Sequence, residues 1–507
     1  MSGEPSQSGG AHARRRLLLV VIDGLGGEAL RTAVAAGGAP NIERLLAHGA
    51  SLRDAISPFP SLTPVCLSTI VTGVGPNDHR IPSLSWYHRG ESRFVEYGSS
   101  FAAARVEGTK ATIEDVIVNL NHMHLAESSP TIFEELQDAG IETGSINYLI
   151  SRGRTRHTMK HDYGMVARVA HRTKVHAVYG PDHLYFGELY GRTRPMLPQV
   201  GIKRPRDWSA AHVARWLLRN TGTEFLLLYL GQHDVASHKH GPDSTQKAIR
   251  VADRALGRVV DGLGGIERFR DEFALILCAD HGQTAIEQHA QLEDVFDDVE
   301  LYRGRRSSSA ADCDLAISPS CRCALIYRLH DAAPSPDWIA QRALEAPSVD
   351  IAAFAHEGRM TVRGSSGTLH AQRDPESGMP TERAVVTGRD HDKWTISGDL
   401  DLLDITIVDG KIRYGRYPDA LERLDQAVGC IHAGDVVISA RPGYEFIDIG
   451  GGKHTGGSHG SLHVTDSTAP LLTWGLEDVP QLEWPTLRLS DISGIIRAHF
   501  GLESAAT

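Results

Sequence analysis

Three stretches of this chain run apolar without a break: "LLLVVI" at 17–22, "FLLLYL" at 225–230 and "FALILCA" at 273–279. A strand with one wet face alternates apolar and polar residues. A strand that does not alternate is covered on both faces, which places it inside a mostly parallel sheet layered with helices. The segments between these runs have the matching grammar. "APNIERLLAHGA" reads as a short helix, with Pro40 in its first turn and Gly49 at its stop. "SSPTIFEELQDAGIETGSINYL" reads as a helix capped by Ser129, started by Pro130 and ended by Gly140, followed by a strand. "DWSAAHVARWLLRN" and "KAIRVADRALGRVVDGL" are amphipathic helices that feed the second and third apolar runs. Strand and helix in alternation predict an α/β fold with a central parallel sheet.

From about 285 the pattern changes. Short alternating segments such as "CRCALIYRL", "RMTVRGSSGTLHAQ" and "DITIVDGKIRYG" surround one helix, "PDWIAQRALEA". They predict an inserted α+β cap over 285–444, and "VVISARPGYEF" is expected to return towards the core. The division expected is 1–16 as a disordered N-terminal segment, 17–284 with 445–507 as the α/β core, and 285–444 as the cap. A chain of 507 residues is too long for one core of ordinary size, in keeping with that division.

Composition excludes several classes. Net charge is −11, which argues against a nucleic-acid polymer as partner. "LLLVVI" is too short for a signal sequence or a membrane span and meets Asp23 at once, so a cytoplasmic protein without a membrane partner is expected. The six cysteines have no zinc-ribbon or redox spacing, which suits reduced thiols. Oligomeric state leaves no mark in the sequence.

In an open parallel sheet, functional groups gather beyond the C-terminal ends of the strands. Here those ends carry Asp23, Asp234 and the pair Asp280-His281. In "GQHDVASHKHGP", Asp234 and His238 are four apart, on one side of a helical turn. A glycine-rich stretch, "GGGKHTGGSHGSLH", adds His454, His459 and His463. An aspartate at a strand end is ordinarily a turn former or a cap. Several carboxylates and imidazoles at one sheet edge are instead the donor set of a divalent ion such as Zn²⁺ or Mn²⁺. In "FPSLTPVCLSTIVTG", Thr63 stands at or just before a helix N-terminus, where the dipole and free N–H groups favour an anion. Ser61 and Ser68 are rival hydroxyls.

"VVIDGL", "APNIERL", "FPSLTPVCLSTIVTG", "HDVASHKHGP", "ADHGQT" and "GSHGSL" stand in a fixed order. With them the chain resembles the alkaline phosphatase superfamily, in its type I phosphodiesterase / nucleotide pyrophosphatase family. The motifs frame residues 17 to about 284 and about 445 to 475. The resemblance implies an alkaline-phosphatase-like sheet flanked by helices, and a metal-dependent hydrolase of phosphoric esters using two divalent ions, Zn²⁺ or Mn²⁺. It implies one ion held by Asp234, His238 and His459, and a second held by Asp23, Asp280 and His281 with Thr63. Thr63 is then the nucleophile and forms a covalent phospho-threonine, with the ions about 4 Å apart across the phosphoryl group.

One position departs from the family. Where many members carry a phosphate-binding Asn, three residues after the nucleophile, this chain has Cys66, a poor donor. A small-molecule, nucleotide-like phosphodiester is the substrate expected first. A phosphomonoester or a phosphonate is the alternative, and a non-catalytic, metal-dependent sensor of phosphorylated ligands is the contrasting class. Trp86, Tyr87, Arg152, Arg154 and Arg156 are candidate substrate contacts, and Trp394 is a candidate in the cap.

Overall fold

The three unbroken apolar runs lie side by side at the centre of the main sheet. The structure, a computed structural model, describes residues 14–100, 102–158, 177–186, 207–304, 309–356, 358–373, 384–386, 393–476 and 479–502. Among these residues the main sheet has eight strands, in the order Leu487–Arg488, Ser51–Ile56, Thr468–Trp474, Phe273–Ala279, Arg16–Ile22, Phe225–Leu230, Thr143–Ile146 and His183–Tyr185. Thr468–Trp474 runs antiparallel to both its neighbours, and the other pairings are parallel. Every residue of Phe273–Ala279 is buried, as are Leu17 to Ile22. Each such Leu, Ile or Val side chain taken from water contributes about 1.5–3 kcal/mol before chain entropy is counted. Of the expected N-terminal segment, residues 1–13 lie outside the described residues, and Arg16 already belongs to the first strand.

Register is what positions the site. Ile22 pairs with Leu230 on one side and with Ala279 on the other. The three central strands therefore stop on one line, and Asp23, the helix Gln232–His240 and Asp280-His281 leave the same edge of the sheet. Helices cover the faces as the amphipathic patterns require. Gln246–Gly262 buries Ile249, Ala252, Leu256, Val259 and Val260 at helical spacing. One cap differs from expectation: the helix Ile132–Asp138 is capped by Thr131, whose hydroxyl accepts from Glu134 N–H while Glu134 accepts from Thr131 N–H. The reciprocal pair satisfies two helix-end donors, which Ser129 cannot match from further out.

The region after 285 builds a second sheet of eleven strands among the described residues, running in sequence from Leu301–Tyr302 to Val436–Ala440. Val436–Ala440 does not return to the core sheet. It lies between Cys323–Arg328 and Val349–His356, in the middle of the second sheet. All five of its residues are buried, so its composition alone does not distinguish the two locations. The helix Pro336–Ala343 packs on this sheet through Ile339, Ala340 and Ala343.

Two buried arginines join the second sheet's region to the loops of the first. Arg322, at the tip of the hairpin between Leu315–Ser320 and Cys323–Arg328, makes two hydrogen bonds to Asp466, at 2.7 and 2.8 Å. Arg423, on the helix Ala420–Val428, donates to Ser61 Oγ at 3.2 Å, Ser467 Oγ at 2.6 Å and the Leu462 carbonyl at 3.0 Å. Burial pushes its guanidinium down to about 10.

Candidate active site: a buried carboxylate–imidazole pocket around Thr63

The loop Ser57–Leu62 ends at the helix Thr63–Thr72, with Pro64 in its first turn and Leu62 in extended geometry before it. Proline suits that turn because it lacks the N–H that a helix start leaves unpaired. Thr63 is the half-buried residue of an otherwise buried segment, so its hydroxyl faces the space above the sheet edge. The hydroxyl lies 3.2 Å from His281 Nε2. Ser61 and Ser68 are committed elsewhere: Ser61 Oγ donates to the carbonyls of Pro58 and Ser461, and Ser68 Oγ to that of Pro64.

Asp23, Asp280 and His281 offer one ligand atom each within 4.8 Å of one another, and Asp234, His281 and His459 do the same. His281 Nε2 is 3.6 Å from Asp23 Oδ1 and 3.4 Å from Asp280 Oδ2. His459 Nε2 is 3.7 Å from Asp234 Oδ1, and the rings of His281 and His459 stack at 3.6 Å. His238 reaches the same carboxylate from its place one helical turn on, with Nε2 3.1 Å from Asp234 Oδ1. The seven residues singled out in the sequence thus come together, with one difference in grouping. His281 lies between the two sets, and the tight group around Asp234 contains His281 in place of His238.

The histidines share one feature that sets their chemistry. His238 Nδ1 donates to the Gly457 carbonyl at 2.8 Å, His281 Nδ1 to that of Gly282 at 3.0 Å, and His459 Nδ1 to that of Ser61 at 2.9 Å. A carbonyl only accepts, so each ring carries a proton on Nδ1 and turns Nε2 towards a carboxylate. Lone pair facing lone pair is repulsive unless a proton or a cation stands between them. Asp280 Oδ2 is buried with no hydrogen-bond partner, an acceptor left for such a cation. Three imidazoles and three carboxylates, each imidazole oriented by a backbone carbonyl, fit a pair of divalent ions.

Burial and neighbours oppose one another at these carboxylates. Burial pushes the Asp234 carboxyl up, but His238, His459 and His281 together hold it well below the usual range. Asp280 is raised, first by burial and then by Asp234, against the opposing effect of His281. Burial pushes His459 well down, and His281 and His238 add to the effect. For His238 the proximity of Asp234 outweighs burial, and its affinity for a proton rises.

Further residues hold this arrangement and escaped the sequence reading. Tyr229 donates its hydroxyl to Asp23 Oδ2, and Gln283 donates Nε2 to Asp234 Oδ1 at 2.6 Å. Ser57 Oγ donates to the Asp280 carbonyl at 2.6 Å, and Gly24 N–H to Asp280 Oδ1 at 3.0 Å. Their signal was slight: a tyrosine in an aliphatic strand, and a glutamine just past "DHG". Arg322 reaches the site through its backbone, with its N–H donating to the His459 carbonyl at 2.9 Å.

The candidate substrate contacts fare differently. Trp86 and Tyr87 are core residues, 0% and 3% exposed, because they meet the aromatic rings of Phe94, Tyr302, Tyr327 and His432. Arg152 is used up by Glu134 and the carbonyls of Leu125, Ala126 and Ser129, and Arg154 pairs with Asp138 and Glu134. Arg156 is exposed on the strand Thr155–Thr158. Trp394 is fully buried in the second sheet, under Arg373. Cys66 is also fully buried, and burial beside Asp280 keeps its thiol protonated. His463 accepts from Thr465 N–H, and His454 bonds Glu445, so neither joins the pocket's donor set.

Comparison with known proteins places this geometry among relatives. Murine ectonucleotide pyrophosphatase/phosphodiesterase family member 7 is 22% identical over 255 residues, 50% of this chain and 47% of that protein. A venom phosphodiesterase of Crotalus durissus collilineatus is 32% identical over 104 residues, 19% of this chain and 12% of its own. The chain thus matches about half the length, or less, of these curated relatives. Among solved structures, phosphonoacetate hydrolase of Sinorhizobium meliloti superposes with a TM-score of 0.54 at 17% identity, over 98% of this chain and 100% of that one. Murine ectonucleotide pyrophosphatase / phosphodiesterase 5 superposes equally well, 0.54 at 14% identity over 97% and 96%, and an inactive form of it has been solved with AMP. These likenesses establish the fold. The family model for type I phosphodiesterase / nucleotide pyrophosphatase matches residues 17–462, running through the middle region that the sequence motifs left uncovered. The chain belongs to the type I phosphodiesterase / nucleotide pyrophosphatase family of the alkaline phosphatase superfamily, a family of hydrolases acting on phosphoric esters.

Proposed function

We propose that this protein hydrolyses a small, nucleotide-like phosphodiester through a phospho-threonine on Thr63, with two divalent ions seated in the pocket. The observation that carries the reading is the common tautomer of His238, His281 and His459, each Nε2 turned to a carboxylate, with the Thr63 hydroxyl 3.2 Å from one of them. One ion would be held by Asp23, Asp280 and His281, the other by Asp234, His238 and His459, with His281 close to both. Bound there, the ions supply positive charge against the phosphoryl oxygens and lower the proton affinity of a coordinated hydroxyl.

The chain's own part follows from its geometry. The Thr63 oxygen attacks phosphorus, the bond from phosphorus to the ester oxygen on the opposite side breaks, and a phospho-threonine ester forms; the proton lost by Thr63 is balanced by the one the departing alcohol takes up. The N-terminus of Thr63–Thr72 adds a fixed favourable potential for the phosphoryl charge. Water then attacks the same phosphorus, Thr63 leaves as its hydroxyl, and phosphate monoester is released. Tyr229, Gln283 and the Gly24 N–H hold the carboxylates of Asp23, Asp234 and Asp280 in place throughout, and Ser57 holds the Asp280 backbone. The nucleotide preference is supported by the AMP complex of a structural neighbour, and a phosphonate substrate by the phosphonoacetate hydrolase neighbour. The buried Cys66 stands where many members carry a phosphate-binding Asn, so either another group makes that contact or the substrate differs from theirs. All six cysteines are buried free thiols, which supports a reducing, cytoplasmic setting, and no described helix is long and apolar enough to cross a membrane.

The test is a comparison of kcat/KM for diesters, monoesters and phosphonates with Mn²⁺ and Zn²⁺, using wild type, Thr63→Ala and Asp280→Ala. Thr63→Ala should abolish turnover and keep the metal, and Asp280→Ala should lose both. Turnover surviving in Thr63→Ala contradicts the phospho-threonine. Bound metal with no turnover of any ester by the wild type identifies a sensor instead.

A further inference from the structure

Next to the Thr63 pocket lies a second group of potential metal donors that the proposed reaction does not use. Cys321, Glu445 and His454 each offer a ligand atom within 4.8 Å of the others. They come from three separate pieces of chain: the tip of the hairpin that carries Arg322, the strand Tyr444–Phe446, and the glycine-rich loop after it. Glu445 is 1% exposed and Cys321 2%, and His454 is half-buried under a loop whose Gly450, Gly451, Lys453 and Thr455 face solvent.

We propose that Cys321, Glu445 and His454, with Asp448 beside them, form a third cation site, suited to Zn²⁺, that pins the glycine-rich loop to the tip of the second sheet's hairpin.

The donor chemistry suits zinc. A thiolate, an imidazole and carboxylates are the ligands of closed, tetrahedral zinc sites, whereas calcium and magnesium choose oxygen alone. Zinc bond lengths of about 2.0–2.3 Å set tetrahedral donors roughly 3.4–3.8 Å apart. Donors within 4.8 Å therefore need to close by about 1.4 Å at most. His454 Nδ1 donates to Glu445 Oε1 at 2.7 Å, a carboxylate–imidazole pair of the kind that fixes the ring of a metal-ligating histidine.

Asp448 adds an orphaned atom. Asp448 is 4% exposed; its Oδ1 accepts from Cys321 N–H at 3.2 Å, and its Oδ2 is buried with no hydrogen-bond partner. A carboxylate oxygen left unpaired in an apolar interior costs about 1–3 kcal/mol or more. Two further carboxylates stand close to it. Asp448 lies near both Glu96 and Glu445, and among the described residues neither Glu445 nor Asp448 has an ion pair with Lys or Arg. A divalent cation supplies the missing charge and releases the Cys321 proton as it binds.

The location suggests what the ion does. The His454 ring stacks on His238 at 3.7 Å and 20°, and the neighbouring Gly456 N–H donates to the His238 carbonyl at 2.9 Å. Fixing His454 therefore fixes the wall behind His238. The proposal rests on Cys321, Glu445, Asp448 and His454 alone, and stands or falls separately from the reaction at Thr63.

The experiment uses the full chain loaded with zinc, with metal counted by native mass spectrometry and elemental analysis, and the cobalt form read by absorption. Cys321→Ser and His454→Gln should each bind one zinc per chain fewer than wild type. The cobalt form should show a thiolate-to-metal charge-transfer band that Cys321→Ser abolishes, while Cys66→Ser and Asp280→Ala keep it. His454→Gln changes a half-buried ring, so it keeps the test valid if Cys321→Ser fails to fold. Equal zinc content in wild type and His454→Gln, or a thiolate band lost with Cys66 instead of Cys321, overturns the site.

Discussion

Arg322→Met tests whether the second sheet holds the candidate site together. Arg322 and Asp466 are both 0% exposed, and the guanidinium makes two bonds to the carboxylate, at 2.7 and 2.8 Å. Asp466 also accepts from Ser461 N–H at 2.9 Å and Thr284 Oγ1 at 2.6 Å, and its carbonyl accepts from Gly282 N–H at 2.9 Å. Through Asp466, Arg322 therefore braces both the loop bearing His459 and the turn bearing Asp280 and His281. Removing one member of a buried pair leaves an uncompensated charge, which costs about 3–5 kcal/mol. An exposed pair would cost about 0–1 kcal/mol. Asp466→Asn in the Arg322→Met background neutralises the stranded carboxylate, so the double variant should recover stability, with a coupling of about 1–3 kcal/mol. The assay is urea unfolding followed by circular dichroism and tryptophan fluorescence, with free energies taken only where the two transitions coincide. A cost below about 1 kcal/mol for Arg322→Met, or no coupling to Asp466→Asn, would refute the reasoning.

Two further perturbations separate position from charge. Gly24 has φ 68°, and a Cβ there would sit 2.7 Å from Gln283 Nε2, 3.2 Å from Asp234 Oδ1 and 3.3 Å from Asp234 Cα. Gly24→Ala should cost about 1–2 kcal/mol in backbone strain alone and weaken metal binding by displacing Asp234; unchanged metal affinity by titration would contradict this. Asp207 is pushed up to about 7 by burial, against the opposing Gln232 and Gly231 N–H groups. Between its ordinary value of 3.8 and about 7 the folded chain keeps a proton that the unfolded chain has released, so this group makes stability fall as pH rises through that window. Asp207→Asn should remove a slope of up to about 1.4 kcal/mol per pH unit, and thermal midpoints of variant and wild type that stay parallel from pH 5 to 7.5 would count against it.

The sheet and the pocket differed in how far the sequence exposed them. Runs such as 273–279 carry their environment in their composition, because only a strand covered on both faces tolerates seven apolar residues. The ligand-type residues were legible because the strand ends that carry them, Asp23 and Asp280-His281, must fall on one line once the sheet is parallel. Thr63 was legible through Pro64, which fixes a helix start beside it. The capping residue was also within reach, since Thr131 and Glu134 have capping-box spacing, but Ser129 and Pro130 gave a competing start. Contacts such as Tyr229 to Asp23 or Arg322 to Asp466 join residues more than a hundred positions apart through side chains that have many other uses. Nothing local marks them. Trp86, Tyr87 and Trp394 are core residues, and the sequence is ambiguous there for the converse reason: an aromatic next to polar residues reads the same whether it lines a cleft or fills a core.

The central claim is the pair of cations at Thr63, and anomalous diffraction at the zinc edge from crystals of the zinc-loaded protein tests it most directly. Two peaks about 4 Å apart are expected, one among Asp23, Asp280 and His281 and the other beside Asp234 and His459. A lone peak, or none within bonding distance of those side chains, would contradict it.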